Sequence, residues 1–423
     1  MNRRHFLIGT SASVISLGFL KPKDESGPYP LYFKKLNQVL KNDNLGRPGF
    51  IIDQSLLDQN INYIRSLVPA DKSFRLVVKS LSCVQLLTYL SLSMKTQRFM
   101  VFDLAHLKAL INVFPEGDFL FGKPMLTTQV HHFYTWMERN NIKNNTKIQW
   151  LIDTKTRLIE YLHIAKVSEV NLQCNLEIDI GLHRGGFTNH TDFKEALDLI
   201  ADNQDALTFS GLMGYDAHVV KLPSIIASSE SLFAKSQKRY QSFIDQINSK
   251  FPQLDLDTLC LNSAGSPTLL LHCKKTTVAN DLSAGSCFLK PDDFDVDTLA
   301  GCQTSAYIAT PILKKGQALR LPGLNLLNRF LNYWDPNLQT TYFVYGGLWQ
   351  GQFVAPLGIR ENGIYGTSSN QHLITAGGST NIGVSDFIFI KPNQSEKTIQ
   401  LFKEITLIEK NKTLKKWPTI QVG

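Results

Sequence analysis

The sequence predicts an α/β protein in which a (β/α)8 TIM barrel is followed by a C-terminal β domain. Between residues 49 and 300, short apolar runs alternate with stretches of helical periodicity, a pattern typical of parallel βαβ units. Eight or nine such units over about 250 residues match the size of a closed barrel. After residue 300 the helical periodicity fades and short β-like runs are broken by Gly and Asn, so residues 301–423 are predicted to form a separate β domain.

The predicted barrel strands are short apolar runs, and several of them end in a polar or small residue. They are Gly49–Ile52, Phe74–Lys79, Arg98–Phe102, Asp118–Gly122, Ile148–Ile152, Asn175–Ile180, Phe209–Gly214, Leu259–Asn262 and Thr276–Asn280. Residues 55–68 are a typical intervening helix, because apolar residues recur at intervals of four, three and four from Leu57 to Val68. The β-like runs of the C-terminal domain are Tyr342–Tyr345, Phe353–Pro356, His372–Thr375 and Phe387–Lys391.

Composition sets broad bounds on the protein class. The chain has 423 residues, 43% hydrophobic and 19% charged, which fits one large barrel with a smaller partner and excludes a disordered chain. The net charge is +8, but the basic residues are dispersed rather than clustered with aromatic residues, so no nucleic-acid partner is predicted. The cysteines form no CxxC pair and no cluster with histidines, and they are predicted to be core thiols. They are Cys83, Cys174, Cys260, Cys273, Cys287 and Cys302.

The N-terminus resembles an export address. Residues 1–23 contain Arg3 and Arg4, a spacer, Phe6 and Leu7, then an uncharged stretch too short to span a bilayer. This arrangement predicts a twin-arginine signal peptide and export to the periplasm of a bacterium; an ordinary basic N-terminus is the alternative. Residues 24–48, which are polar and rich in Pro, Gly and Lys, are predicted to be a linker.

Lys79 closes the apolar run of residues 75–79. The carboxyl ends of barrel strands carry the active sites of this fold, and apolar neighbours favour the uncharged amine that attacks a carbonyl carbon. Lys79 is therefore a candidate for covalent cofactor chemistry. Taken alone, however, a lysine that reaches solvent from a strand end is the more frequent case.

Two other strand ends carry groups suited to a planar ring. Residues 211–218 include Tyr215 and His218, which can stack on such a ring or hydrogen-bond to it. Residues 177–186 include Arg184, which could face a ring nitrogen or make a structural ion pair.

A third strand end, residues 262–268, contains Ser263, Gly265 and Ser266 ahead of an apolar helix start. Small residues let backbone N–H groups approach a phosphate, and a helix N-terminus adds a favourable dipole. Each signal is modest, but a lysine, an arginine, a tyrosine and a phosphate-type loop at strand ends of one barrel are together much less likely to occur by chance.

With these segments in place, the chain resembles the D-threonine aldolase and D-serine dehydratase group of enzymes, whose N-terminal domain is alanine racemase-like. The matching segments follow one another in order at residues 75–80, 179–186, 211–218, 263–268 and 281–286, and the likeness continues at residues 345–347, 368–371 and 392–396. The resemblance covers most of the chain after the predicted signal peptide.

The resemblance implies fold-type III binding of pyridoxal 5'-phosphate in a homodimer. The residues that would contact the cofactor are Lys79, Arg184, Tyr215, His218, Ser263, Gly265 and Ser266. Lys79 would carry it as a Schiff base, Arg184 would face the pyridine nitrogen, and the last three residues would hold the phosphate. Lys79 and Tyr215 are the predicted catalytic residues.

The chain departs from this group at the metal site. Relatives bind a divalent metal through a His and, two residues later, a Cys or Asp that follow a proline. In this chain Pro392 is followed by Gln394 and Glu396 at those places. Amide and carboxylate oxygens still suit Mg²⁺ or Mn²⁺ but make a poorer zinc site. No metal ligand is predicted, and the metal requirement is left open.

The resemblance favours a lyase that acts on β-hydroxy D-amino acids by retro-aldol cleavage or dehydration. An amino-acid racemase is the first alternative, since a Tyr or His of a second subunit could act on the opposite face of the substrate. A carrier of the cofactor without turnover is disfavoured, because such proteins usually consist of the barrel alone. A barrel with a structural Lys79 and no cofactor is the last alternative.

Overall fold

The computed structural model describes residues 21–142, 146–221, 227–365, 367–409 and 412–422. These residues divide into two compact units. One contains the residues up to Ile52, Ala306–Asn393 and Thr406–Lys415; the other, the barrel unit, contains Asp53–Ser305, Gln394–Ile405 and Lys416 onward. The predicted signal peptide, residues 1–23, falls outside the described residues except for its last three.

Within the described residues, eight parallel strands close into a barrel in chain order, β2 to β9, which confirms the predicted TIM barrel. They are β2 Ser73–Val77, β3 Arg98–Val101, β4 Asp118–Phe121, β5 Lys147–Ile152, β6 Leu172–Glu177, β7 Leu207–Met213, β8 Cys260–Ser263 and β9 Asp281–Ala284. Closure comes from the parallel pairing of β2 with β9, in which Leu76 lies opposite Ala284.

The helices of the barrel unit precede, connect and follow these strands. They are α2 Gln54–Leu67, α3 Val84–Met94, α4 Leu104–Ile111, α5 Thr127–Arg139, α6 Lys155–Val167, α7 His190–Ala201, α8 Ser229–Lys250, α9 Leu269–Lys274 and α11 Ser395–Ile399. Several begin at a side-chain cap: Asp103 accepts from a first-turn N–H of α4, and Thr154 does so for α6. Such caps satisfy amides that have no partner within the helix.

Charged side chains fill the amino-terminal end of the barrel. Arg75 is fully buried and donates to Asp281 (2.8 Å) and Asp118 (2.9 Å), while Arg98 lies 3.1 Å from Asp281. Burial alone would lower the pKa of Arg75, but the two carboxylates raise it well above its ordinary value. Each carboxylate begins a strand, so this cluster lies at the end of the barrel opposite the strand ends that carry Lys79.

The other unit is a mixed structure dominated by antiparallel strands, which bears out the predicted β character of the chain after residue 300. Its strands are β1 Gly49–Asp53, β10 Ala306–Lys315, β11 Thr340–Tyr345, β12 Gly351–Ala355, β13 Arg360–Glu361, β14 Gln371–Ala376, β15 Phe387–Pro392, β16 Glu404–Glu409 and β17 Lys412–Pro418, and its helices are α1 Leu31–Asn42 and α10 Asn325–Trp334. The strand order is β13-β14-β11-β10-β1-β16-β17, with β15 paired to β10 and β12. Its core includes Leu36, Leu40, Ile51, Tyr307 and Phe389.

The structure corrects three sequence-based assignments. β1 was predicted to be a barrel strand but pairs antiparallel with β10, with Phe50 opposite Ile308; a strand buried on both faces has the same pattern in either sheet. The last barrel strand is β9 rather than Thr276–Asn280. The predicted linker, residues 24–48, contains α1, whose Leu36 and Leu40 are buried.

The predicted boundary at residue 300 also changes, because residues 394–405 belong to the barrel unit although they follow the β domain in the chain. No helix in the described part of the chain is long and apolar enough to cross a membrane.

Candidate active site

A cavity of about 650 Å³ opens at the carboxyl ends of the barrel strands, where this fold places its active sites. Of the predicted site residues, the structure brings five together in its lining: Lys79, Arg184, Tyr215, Gly265 and Ser266. His218 and Ser263 are not among the residues that line it.

Lys79 lies on a single helical turn, Val78–Leu81, that directly follows β2. Its Nζ atom is 4.6 Å from the centre of the Phe102 ring and 3.7 Å from Oε1 of Glu396. The side chain is 42% exposed, whereas the sequence predicted a lysine held in an apolar strand. The difference arises because the strand ends at Val77, so Lys79 leaves the sheet and projects into the cavity.

A buried polar side chain hydrogen-bonds to the backbone of the turn that carries Lys79. The hydroxyl of Ser82 contacts the carbonyl oxygens of Val78 and Lys79 and lies 3.1 Å from Nε2 of His106. Burial lowers the pKa of His106 to about 4, so this imidazole is neutral at physiological pH. Ser82 and His106 therefore hold the turn in place. Because His106 is neutral, they add no charge near the lysine amine.

Tyr215 is packed between a glycine and an arginine. A Cβ atom on Gly265 would lie 2.7 Å from Cε2 of Tyr215, so the ring fits there because residue 265 has no side chain. The guanidinium of Arg184 lies over the same ring, 5.0 Å from its centre. Burial raises the pKa of Tyr215 and Asp216 adds to this; the phenol is therefore protonated at neutral pH and is available as a donor.

Asp179 organises the loop that carries Arg184. One carboxylate oxygen accepts from the N–H groups of Gly181 (2.9 Å) and His183 (3.0 Å), and the other lies 2.7 Å from Nδ1 of His183. Burial alone would raise the pKa of Asp179, but these hydrogen bonds hold it below its ordinary value. The aspartate thus serves the loop as an ionised acceptor.

The segment that follows β8 is also held by buried groups. The N–H of Gly265 donates to Oγ1 of Thr268, which donates to Asp216 (2.7 Å), and Asp216 lies 2.8 Å from Nε2 of His272. Asp216 and His272 are completely buried. This chain of contacts ties the turn under Tyr215 to α9.

The two serines predicted to hold a phosphate have protein partners. Ser263 donates to the carbonyl oxygen of Gly214 (2.7 Å), and Oγ of Ser266 accepts from the N–H groups of Gly285 (3.1 Å) and Cys287 (3.0 Å). Ser266 therefore joins the segments that follow β8 and β9. Their phosphate role stays a prediction.

His218 lies beside the loop of Arg184 rather than in the cavity lining. Its Nε2 is 3.3 Å from Oγ of Ser236, and a Cβ on Gly181 would come within 2.9 Å of the ring. Burial lowers the pKa of His218. Its contact with a cofactor also stays a prediction.

Several lining residues were not singled out from the sequence. Lys123 and Asp153 follow β4 and β5, Glu177 ends β6, and Ser80 and Ser286 follow β2 and β9. Their common signal is a polar residue at or just after the end of a barrel strand. Burial raises the pKa of Glu177, and Arg184 opposes that shift.

The two residues at the relatives' metal positions have different partners. Glu396 approaches Lys79, whereas Gln394 donates to Asp293 (2.8 Å). Within the described residues, no three His, Cys, Asp or Glu side chains are grouped so that they could hold a metal ion.

The sequence of the barrel matches a known family model. Residues 52–288, more than half of the 423 residues, match the model described as alanine racemase, N-terminal domain. The chain belongs to this family. No curated protein sequence matches it.

Solved structures share the architecture of this alanine racemase-family chain at low sequence identity. D-Threonine aldolase from Filomicrobium marinum is 13% identical, with a TM-score of 0.67 over 88% of this chain and 96% of that one. D-threo-3-Hydroxyaspartate dehydratase from Delftia sp. HT23 is 12% identical, with a TM-score of 0.67 over 89% and 98%. Alanine racemase from Bacillus anthracis is 12% identical, with a TM-score of 0.65 over 88% and 97%. At such identities the likeness establishes the fold, including the part that follows the barrel.

Proposed function

We propose that this member of the alanine racemase family is a pyridoxal 5'-phosphate-dependent lyase that acts on β-hydroxy D-amino acids, as D-threonine aldolases and D-serine dehydratases do. The observation that carries the proposal is Lys79, whose amine projects into the cavity at the carboxyl ends of the barrel strands. Family membership and the two lyases that share the fold support it.

The residues around the cavity fit a phosphorylated planar ring. About 650 Å³ is within the range of cofactor sites. Lys79 would bond the cofactor, and Arg184 and Tyr215 would lie against its ring. The small residues of 264–266 and 285–286, which line adjacent strand ends, would surround the phosphate. The bound cofactor supplies an electron sink for the bond that breaks at the α-carbon of the substrate.

The side chains of this protein then move the proton, donate a hydrogen bond and set the charge at the ring. The Lys79 amine takes the proton that the substrate loses, which is the hydroxyl proton in retro-aldol cleavage or the α-proton in dehydration. Tyr215, which is protonated at neutral pH because burial raises its pKa, donates a hydrogen bond. Arg184 would face the ring nitrogen and, unlike a carboxylate, would not keep that nitrogen protonated, which limits how far negative charge spreads into the ring.

The test compares the visible absorption spectrum of wild type, Lys79→Ala and the control Lys166→Ala, each purified with pyridoxal 5'-phosphate. Lys166 lies on the outer helix α6 and contacts Asn203. We expect a band in wild type and in the control that is lost in Lys79→Ala. Addition of D-threonine or D-serine should shift the band and release aldehyde or ammonia.

A wild-type protein that stays colourless with fresh cofactor would refute the cofactor. A coloured protein that releases neither product from D-threonine, D-serine or their aryl relatives would refute the lyase.

An amino-acid racemase is the second candidate, favoured by the family model and by the alanine racemases of the same fold. Chiral chromatography after incubation with single enantiomers separates it from the lyase, since a racemase yields both enantiomers and no aldehyde or ammonia. A spectrum that does not change with any amino acid would instead indicate a carrier of the cofactor.

We also propose a homodimer that is exported to the periplasm by the twin-arginine route. Sedimentation of the loaded protein tests the dimer, and a monomer at micromolar concentration would contradict it. Cell fractionation tests export. Replacement of Arg3 and Arg4 by lysine should retain the protein in the cytoplasm, and unchanged fractionation would exclude this route.

A further inference from the structure

A carboxylate faces the lysine of the candidate active site. Oε1 of Glu396 lies 3.7 Å from Nζ of Lys79, and Oε2 lies 3.3 Å from the hydroxyl of Ser80, which donates to it. Ser80 in turn accepts from the hydroxyl of Ser286 at 3.0 Å. Both carboxylate oxygens of Glu396 therefore have partners at the strand ends.

The position of Glu396 is set by packing. It belongs to α11, which packs against the turn of Lys79, and its neighbours Ser395 and Ile399 are completely buried. The Glu396 side chain is 24% exposed. Because its helix is anchored and a serine orients the carboxylate, Glu396 meets Lys79 at small cost in side-chain entropy, unlike a pair of long surface side chains.

Glu396 differs from the other carboxylates that line the cavity in its contact with Lys79. Lys123, Arg184 and Lys221 line the same cavity with Asp153 and Glu177. Arg184 interacts with Glu177, and Asp153 pairs with Arg157 at 3.3 Å. Among the described residues, Glu396 is the carboxylate that contacts the Lys79 amine.

We propose that Glu396 is a positioning residue for Lys79, which orients the amine and stabilises its charged form while it holds the transferred proton. This inference rests on the proposed function. In the step concerned, a proton passes from the substrate to the lone pair of the neutral Lys79 amine and forms an ammonium. The Glu396 carboxylate stabilises this ammonium until the proton returns to the product. No proton is gained or lost overall.

The first experiment measures Lys79 in cofactor-free protein, so that it does not depend on the reaction. Wild type, Glu396→Gln, Glu396→Asp and the control Glu138→Gln, an exposed residue of α5, are labelled with an amine reagent at one pH near neutrality, and labelling at Lys79 is timed by mass spectrometry. The contact with the Glu396 carboxylate holds the amine in place and competes with the reagent for it. We expect Lys79 to be labelled several times faster in Glu396→Gln than in wild type, and Glu396→Asp to lie between the two.

The second experiment measures turnover of the loaded enzyme with D-threonine and D-serine. We expect Glu396→Gln to lose at least about tenfold in kcat with little change in KM, and Glu396→Asp to restore part of it. Ser80→Ala, which frees one carboxylate oxygen, should give a smaller loss. The circular dichroism spectra of Ser80→Ala and Glu396→Gln should match the spectrum of wild type.

The outcomes separate the two proposals. Unchanged labelling of Lys79 in folded Glu396→Gln would overturn the inference, and so would changed labelling with unchanged kcat. Faster labelling in a protein whose wild type turns over no β-hydroxy amino acid would refute the proposed function and leave the lysine–glutamate contact established.

Discussion

Gly265→Ala should weaken cofactor binding while the barrel still folds. The new methyl group would lie 2.7 Å from Cε2 and 3.2 Å from the hydroxyl oxygen of Tyr215. The ring has to move by roughly 0.8 Å to restore an ordinary carbon contact of about 3.5 Å. Residue 265 has an ordinary backbone conformation, so alanine adds no φ strain and the effect is steric. Overpacking of this kind costs about 1–3 kcal/mol. If the whole cost falls on the cofactor-bound state, affinity decreases by about 5- to 150-fold.

The assay titrates cofactor-free protein with pyridoxal 5'-phosphate and follows the absorption band. Gly363→Ala is the matched control, since a Cβ there meets nothing within 4 Å. Equal affinity in wild type, Gly265→Ala and Gly363→Ala would show that the packing of Tyr215 on residue 265 has no part in the cofactor site. Equal loss in both variants would show that the effect is not local.

Three further predictions concern the charged groups. Arg75→Met should lower the free energy of unfolding by about 3–5 kcal/mol in urea titrations, because it leaves the buried carboxylate of Asp281 and the partly buried one of Asp118 short of a partner. A loss below about 1 kcal/mol would contradict the role of this cluster. The pKa of Asp118 is lowered, since Arg75 outweighs the effect of burial. Its stabilisation is thus present above the ordinary carboxyl range and is lost as pH falls, and the gap in unfolding free energy between wild type and Asp118→Asn should shrink from pH 6 to pH 3; a constant gap would refute this. Asp179→Ala removes the acceptor of two N–H groups and should reduce cofactor affinity by loosening the loop of Arg184, which the same titration measures; unchanged affinity would show that the loop holds without it.

The sequence predicted the barrel because the patterns that mark strands and helices lie in short stretches of neighbouring residues. Seven of the eight strands lie where short apolar runs alternate with stretches of helical periodicity, and the length of each run together with its periodicity separates strands from helices. The exception is β9, which begins with the buried Asp281. Of its four residues only Leu282 and Ala284 are apolar, and the partner that compensates Asp281, Arg75, lies 206 positions away.

The candidate site was predicted unevenly for the same reason. Lys79, Arg184, Tyr215 and Gly265 follow strands, and a closed parallel barrel necessarily gathers such residues at one end. Glu396 could not be placed in this way, because it lies beyond the β domain and reaches the barrel through α11.

By itself, therefore, the sequence determined which segments become strands and helices of the barrel and which residues stand at their carboxyl ends, since both follow from local periodicity. The tertiary structure alone decided that β1 joins the other sheet, that Ser266 bridges two strand ends and that Glu396 faces Lys79. These depend on contacts between residues far apart in the chain, whose partners no local pattern specifies.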